Sequence, residues 1–305
     1  MQCRLRIPHK TVVHLCAPPE LLSAKINLDD GCVLGKELLV RKVRSNHQQK
    51  IAVHHRVIAG RESEETGHAH VERVIVLDEL AAGEGNRKPI HPQYVVRVLD
   101  ELAAKDAIFT CDVGTPTIWA ARYLTMNGQR RLLGSFNHGS MANALPQAIG
   151  AQVSYPGRQV VSLSGDGGLA MGMGDLLSLR QLDLPAKIIV FKNDSLAFVE
   201  LEMKATGFLD FGTDLHNPDF AKMAEAVGIL GLTADTPDQV RPMLTQALQH
   251  NGPALIEVAV SRQELSMPPT ITLEQMKGFS LFMLKAVLNG RGNEIIDLAS
   301  TNLFR

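Results

Sequence analysis

The chain has 305 residues, 45% of them hydrophobic and 21% charged, with a mean hydropathy near zero and a formal net charge of −1. That supplies apolar material for one large or two modest domains, each able to bury a core. The near-neutral charge excludes a whole-chain electrostatic case for nucleic acid or an acidic membrane surface, and no stretch approaches the ~20 apolar residues of a membrane span.

The first part of the chain differs from the rest. Residues 1–61 hold eleven Lys and Arg against four Asp and Glu, and five of the 11 histidines. They contain no Phe, Trp or Tyr, so base stacking is not available to them and no nucleic-acid partner is expected. Cys3, Cys16, Cys32 and Cys111 form no CxxC pair or zinc spacing, which points to free thiols in a reducing cytosol. The basic start is followed by Pro18, Pro19 and Glu20, a poor signal peptide. Short apolar runs at 12–15 and 38–43 are broken by basic residues and His, and no helical or strand period persists. Residues 1–75 are therefore expected to be poorly ordered, with 76–88, which carries Gly83 and Gly85, as a linker.

From Pro89 the pattern becomes regular. Val95, Val98, Leu99 and Leu102 mark a helix over 91–104. Residues 107–111 form a strand feeding Asp112-Val113-Gly114. A helix rich in small residues follows at 143–153, then a strand at 159–164 that stops at Gly165-Asp166-Gly167-Gly168. A helix is expected at 174–182 and a β-branched buried strand at 186–191. Two more helices fall at 219–227 and 237–249, the second with Pro at its first turn, and a last strand at 254–260. Strands alternating with helices predict an α/β fold, a parallel sheet with helices on both faces. Ligands of such sheets sit beyond the carboxyl ends of the strands, where 112–114, 165–168 and 192–195 fall.

The glycines after a strand allow a tight turn and a close approach of N–H groups to a phosphate. Asp166 projects a carboxylate at the same place, and a carboxylate beside a phosphate cradle suits Mg²⁺. Taken alone, this run also fits a strand-to-helix turn with an Asp cap. Asn193 lies 27 positions after Asp166, past one helix and one strand. A βαβ unit brings both to the same sheet edge, where an amide oxygen is a plausible second ligand.

Gly-Asp-Gly followed by Asn at this distance resembles the thiamine-diphosphate-binding signature of the transketolase and pyruvate-decarboxylase superfamily. The segments CDVGTPTIWAARYL (111–124), RRLLGSFNHGSMANALPQAIGAQ (130–152), GDGGLAMGMGDLLSL (165–179), LEMKATGF (201–208) and EQMKGFSLFMLKAVLNGRGNEIIDLA (274–299) extend the likeness. They resemble the closing domain of bacterial pyruvate:quinone oxidoreductase, over 89–265 for the thiamine-diphosphate/Mg²⁺ domain and 266–305 for a helical tail.

The resemblance implies that Asp166 and Asn193 bind Mg²⁺ through their side chains and Ser195 through its carbonyl. Gly165, Gly167 and Gly168 would line the diphosphate. Met141, after Gly139 and Ser140, would sit beneath the cofactor, although core packing is the commoner fate of Met. Val113, Gly114, Phe198 and Glu202 would line the reaction site. Where the family has two adjacent Asn, this chain has Lys192-Asn193, and Asp194 is expected to offset the extra cation.

The full enzymes of that family oxidise pyruvate to acetate and CO₂ and pass electrons through FAD to membrane quinone. The activating glutamate lies on a pyrimidine-binding domain and FAD on a middle domain, and residues 1–75 resemble neither. The expectation is a truncated or rearranged product, inactive until a partner chain completes it, or a non-catalytic cofactor-binding or assembly fragment. An enzyme of the acetolactate-synthase type shares the signature and is the other alternative. The resemblance further implies a homo-oligomer, a cytoplasmic location and a tail able to meet lipid at the inner face of the membrane, although the tail also fits an ordinary packed terminal helix.

Overall fold

The computed structural model describes residues 3–6, 12–15, 88–262, 264 and 272–302. The chain divides into two units, Met1–Arg73 and Val74–Arg305. In the first, β1 (Cys3–Arg6) and β2 (Val12–Leu15) pair antiparallel, Cys3 opposite Leu15 and Arg6 opposite Val12. The short run at 12–15, to which the sequence pattern assigned no element, is thus a strand. The run at 38–43 and the linker at 76–88, except Lys88, lie outside the described residues.

In the second unit α1 (Pro92–Leu102) leads into β3 (Ile108–Cys111), α2 (Thr115–Tyr123), β4 (Arg131–Gly134) and α3 (Ala144–Ser154). Then come β5 (Val160–Gly165), α4 (Asp166–Gly172), a 3₁₀ turn (Met173–Asp175), α5 (Leu176–Gln181) and β6 (Lys187–Lys192). The chain continues through α6 (Ala197–Ala205), α7 (Phe220–Ala226), β7 (Leu230–Ala234), α8 (Pro237–Gln249) and β8 (Ala254–Ala259). It closes with α9 (Leu273–Leu288) and α10 (Gly292–Asn302). Six strands form one parallel sheet in the order β4-β3-β5-β6-β8-β7.

Alternate residues of the central strands serve the two faces. Phe109, Val161, Leu163, Ile189, Phe191 and Ile256 pack against α1, α2 and α8, where Leu99, Trp119 and Leu244 are buried. Ile108, Val160, Ile188, Val190 and Leu255 pack against α3, α4, α5 and α7, where Leu145, Leu169, Leu179 and Phe220 are buried. Each such side chain contributes about 1.5–3 kcal/mol by leaving water. The helix starts follow the local sequence: Pro92 and Pro237 open α1 and α8. Asp219 accepts the Lys222 amide at 2.9 Å, and Thr272 accepts the Gln275 amide at 3.2 Å.

The sequence pattern missed β4, β7, α2 and α6. The helix expected over 174–182 opens as a 3₁₀ turn, and the Gly165–Gly168 run, expected as a turn, enters α4 at Asp166. The tail helices belong to the sheet domain: α9 crosses α6 at Gly278, where a Cβ would fall 2.0 Å from the Ala205 carbonyl oxygen. Among the described residues no helix is long and apolar enough to cross a membrane.

Lys187, at the start of β6, is buried, and its ammonium donates to the carbonyls of His250 and Gly252 at 2.6 Å each. These carbonyls follow the end of α8, where a positive charge is favoured. Burial nevertheless pushes the Lys187 pKa down to about 8. The unfolded chain binds this proton up to pH ~10.4, so the folded state holds fewer protons between pH 8 and there, and this group makes stability rise with pH in that window. Denaturant unfolding between pH 7.5 and 10 should show that rise in the wild type and a weaker one in Lys187→Met.

Candidate active site at the strand ends

β3, β5 and β6 run parallel as neighbours, so their carboxyl ends open on one edge. Asp166 lies there, buried, at the first position of α4. Its Oδ1 accepts the Gly167 amide at 2.8 Å. Its Oδ2 accepts the amides of Asn193 at 3.0 Å and Asp194 at 2.7 Å, and the Asn217 side chain at 2.8 Å. Burial raises the Asp166 pKa above the ordinary carboxylate value, and these N–H donors oppose the rise.

The loop after β6 is bent to make this possible. Asp194 has φ 55°, a left-handed conformation that Asp adopts more readily than most residues. Asn193 Oδ1 accepts the Ser195 amide at 3.1 Å, which holds its side chain in place. Asn217 donates to Asp194 Oδ1 as well, at 2.8 Å. Asn217 escaped the sequence reading: its Asn-Pro context marks a turn and carries no chemical signal.

The residues fit a hard cation. Oδ2 of Asp166 is saturated by three donors while Oδ1 has one, so Oδ1 is the oxygen with capacity to spare. A carboxylate, the Asn193 amide oxygen and the Ser195 carbonyl make an all-oxygen donor set of the kind Mg²⁺ takes. Lys192 does not disturb it. Burial disfavours its ammonium, but Glu257 at 2.8 Å outweighs this and raises the pKa. Glu257, more than the expected Asp194, is therefore the main offset to this cation.

The glycines have separate roles. A Cβ at Gly167 would meet Leu196 at 3.0 Å, Leu215 at 3.2 Å and Met141 at 3.3 Å, so Met141 does reach the glycine run. A Cβ at Gly168 would fall 2.2 Å from Asp112 Oδ2. Asp112 is buried, its Oδ1 accepts the Ala144 amide at 2.9 Å, and its pKa is raised by burial. Gly168 thus lets the end of β3 lie against α4. Gly139 has φ 65° with open space around it, and Gly114 has φ 143°. Between them the Ser140 carbonyl accepts the Val113 amide at 3.4 Å, so Val113 and Ser140 are neighbours. Gly165 ends β5 opposite Phe191.

Phe198 and Glu202 lie one turn apart on α6, the helix after the β6 loop, and both are exposed. A groove of about 800 Å³ lined by Tyr94, Leu230, Arg241 and His250 lies elsewhere: Leu230 begins β7, at the opposite end of the sheet.

Residues 112–258 match the family described as the thiamine pyrophosphate enzyme, C-terminal TPP binding domain. The chain is 38% identical over 210 residues to a putative thiamine pyrophosphate-containing protein, YdaP, of Bacillus subtilis (strain 168), covering 69% of this chain and 36% of that protein. It is 33% identical over 192 residues to acetolactate synthase 1, chloroplastic, of Zea mays, covering 60% and 30%. It is 32% identical over 211 residues to a probable acetolactate synthase large subunit of Methanocaldococcus jannaschii, covering 65% and 36%. The chain spans about a third of the length of these curated relatives. The sheet domain is a thiamine-diphosphate-binding domain of the kind found at the carboxyl end of thiamine-diphosphate enzymes.

Gly168→Ala should cost about 1–3 kcal/mol of stability through overpacking against Asp112. In an Asp112→Ala background the same substitution should cost markedly less, because the two residues share one space. Urea unfolding of the four chains checks this.

Proposed function

We propose that this domain holds the diphosphate of thiamine diphosphate through Mg²⁺ bound by Asp166, Asn193 and the Ser195 carbonyl, within an enzyme that decarboxylates pyruvate. The observation that carries the reading is the Asp166 carboxylate, which draws the ends of β5 and β6 together around an oxygen donor set. Gly165, Gly167 and Gly168 would offer their backbone to the diphosphate, and Met141, which reaches the glycine run, would help to hold the cofactor. Val113 and Gly114 line the substrate side, with Phe198 and Glu202 at its rim. When bound, thiamine diphosphate supplies the nucleophilic thiazolium carbon that decarboxylation of a 2-oxo acid requires.

The residues of this domain bind and orient. Activation of the cofactor would need a carboxylate from a pyrimidine-binding domain, of the kind a partner chain could supply. Without such a group the rate falls by about 10²–10⁴. The resemblance of 274–299 favours the oxidative branch, with FAD as electron carrier and quinone as acceptor in a cytoplasmic enzyme that docks at the inner membrane face. The names of two relatives, both acetolactate synthases, favour a second reading in which two pyruvates condense without net oxidation. An inert cofactor-binding fragment is the third.

Calorimetric titration of thiamine diphosphate should show binding with Mg²⁺ that EDTA removes. Loss of a group behind a metal ligand weakens affinity by about 10–100-fold, so loss of the ligand in Asp166→Ala or Asn193→Ala should exceed ~100-fold. Well-folded wild-type chain that binds no cofactor would sink the proposal. Product analysis after adding a pyrimidine-domain chain separates the branches: acetate and a reduced acceptor for one, acetolactate for the other.

A further inference from the structure

Charged residues are almost never fully buried unless paired. Glu200 and Lys204, one turn apart on α6, are both buried. Glu200 Oε2 accepts the Ser195 hydroxyl at 2.6 Å and Arg262 at 3.1 Å, while Oε1 accepts Lys204 at 2.7 Å. Lys204 also reaches Glu294 of α10 at 2.9 Å and lies 5.2 Å from the ring centroid of Phe282 on α9. Arg291 joins Glu294 at 2.6 Å and pairs with Asp210. Arg262 joins Glu200 to Asp214 at 2.6 Å.

The segment 210–217 closes on the same loop from the other side. The Leu196 amide donates to Thr213 O at 2.8 Å, and the Leu215 amide to Asp194 O at 3.0 Å. Loop 193–196 is therefore clamped between this segment and α6, and the Glu200–Lys204 pair links the loop to the tail.

We infer that Glu200 and Lys204 are positioning residues for the cation loop: the Ser195 hydroxyl, held by Glu200, fixes the peptide whose carbonyl faces the cation, and Lys204 anchors Glu200 to the carboxyl-terminal helices through Glu294. This rests on the cation reading given above. Ser195 carries both the anchored hydroxyl and the ligand carbonyl, so the loop moves only if the Ser195–Glu200 bond breaks. An ordinary exposed pair at this spacing contributes a few tenths of a kcal/mol and positions nothing. Breaking a buried pair leaves an uncompensated charge and disturbs everything joined to it.

The test uses the full chain and two readouts. The first is hydrogen–deuterium exchange without ligand. Lys204→Met should speed exchange at 193–196 and at 292–302 together, with the sheet strands unchanged. The second is calorimetric titration of thiamine diphosphate at stepped Mg²⁺ concentrations. Lys204→Met should raise the Mg²⁺ needed for half-maximal binding about tenfold, while saturating Mg²⁺ restores the wild-type affinity. Glu294→Gln, a milder change at the tail end of the network, should give the same signature at smaller size and serves if Lys204→Met fails to fold.

Ser195→Ala removes the hydroxyl but keeps the carbonyl, and in that background Lys204→Met should add little. Unchanged exchange at 193–196 in a folded Lys204→Met or Glu294→Gln chain overturns the inference, as does full additivity with Ser195→Ala. A wild-type chain with no Mg²⁺-dependent binding defeats the cation reading and the inference as stated. The exchange arm then still shows whether Lys204 holds the loop.

Discussion

One buried carboxylate organises the strand ends. Asp166 is taken out of water at the first position of α4, which costs several kcal/mol unless the charge is satisfied. Four N–H donors satisfy it, and they come from α4, the loop after β6 and the segment before α7. In a low-dielectric setting those bonds strengthen one another, and they tie the loop after β6 and the segment before α7 to the start of α4. The left-handed Asp194, the Asn193 side-chain turn and the double contact of Asn217 all follow from placing two successive amides on a single oxygen.

Around that group the domain uses space sparingly. Gly168 is small because Asp112 fills the place of its side chain, and Gly278 is small because α9 lies on the backbone at Ala205. The first contact joins β3 to α4, and the second joins the tail to α6. The helix that follows the loop after β6 thus carries exposed Phe198 on its outer side and buried Glu200 and Lys204 on its inner side. The stretch between Ser195 and Phe220 therefore serves both the strand-end loop and the docking of the tail.

Much of this was legible in the sequence where local preference and burial agree. The run at 186–191 reads as a buried strand because its β-branched residues are buried on both faces, and Gly-Asp-Gly with Asn193 reads as a site because a βαβ crossover brings both to one edge. The edge strands β4 and β7 did not announce themselves: they are short, and Arg131, Gly134, Gly231 and Thr233 leave no apolar period in them. The opening of α4 was hidden by Gly167 and Gly168, whose helix propensity is poor and whose packed neighbours leave little room for a side chain. Glu200 and Lys204 gave no signal in the sequence, and Glu202, the exposed neighbour, drew attention instead. Only the fold reveals which carboxylate turns inward. Asn217 and Glu257 were equally silent, since their partners Asp166 and Lys192 lie far away in sequence.

The claim that everything else hangs on is that Asp166, Asn193 and the Ser195 carbonyl share one cation. A crystal structure of the chain grown with Mn²⁺ and thiamine diphosphate, with anomalous scattering recorded for the metal, tests it directly. The account predicts one strong anomalous peak bridging Asp166 Oδ1, the Asn193 amide oxygen and the diphosphate. Its contradiction would be a chain that binds the cofactor with the peak elsewhere, for example among the carboxylates of Glu200, Asp210 and Glu294, which lie within 4.8 Å of one another.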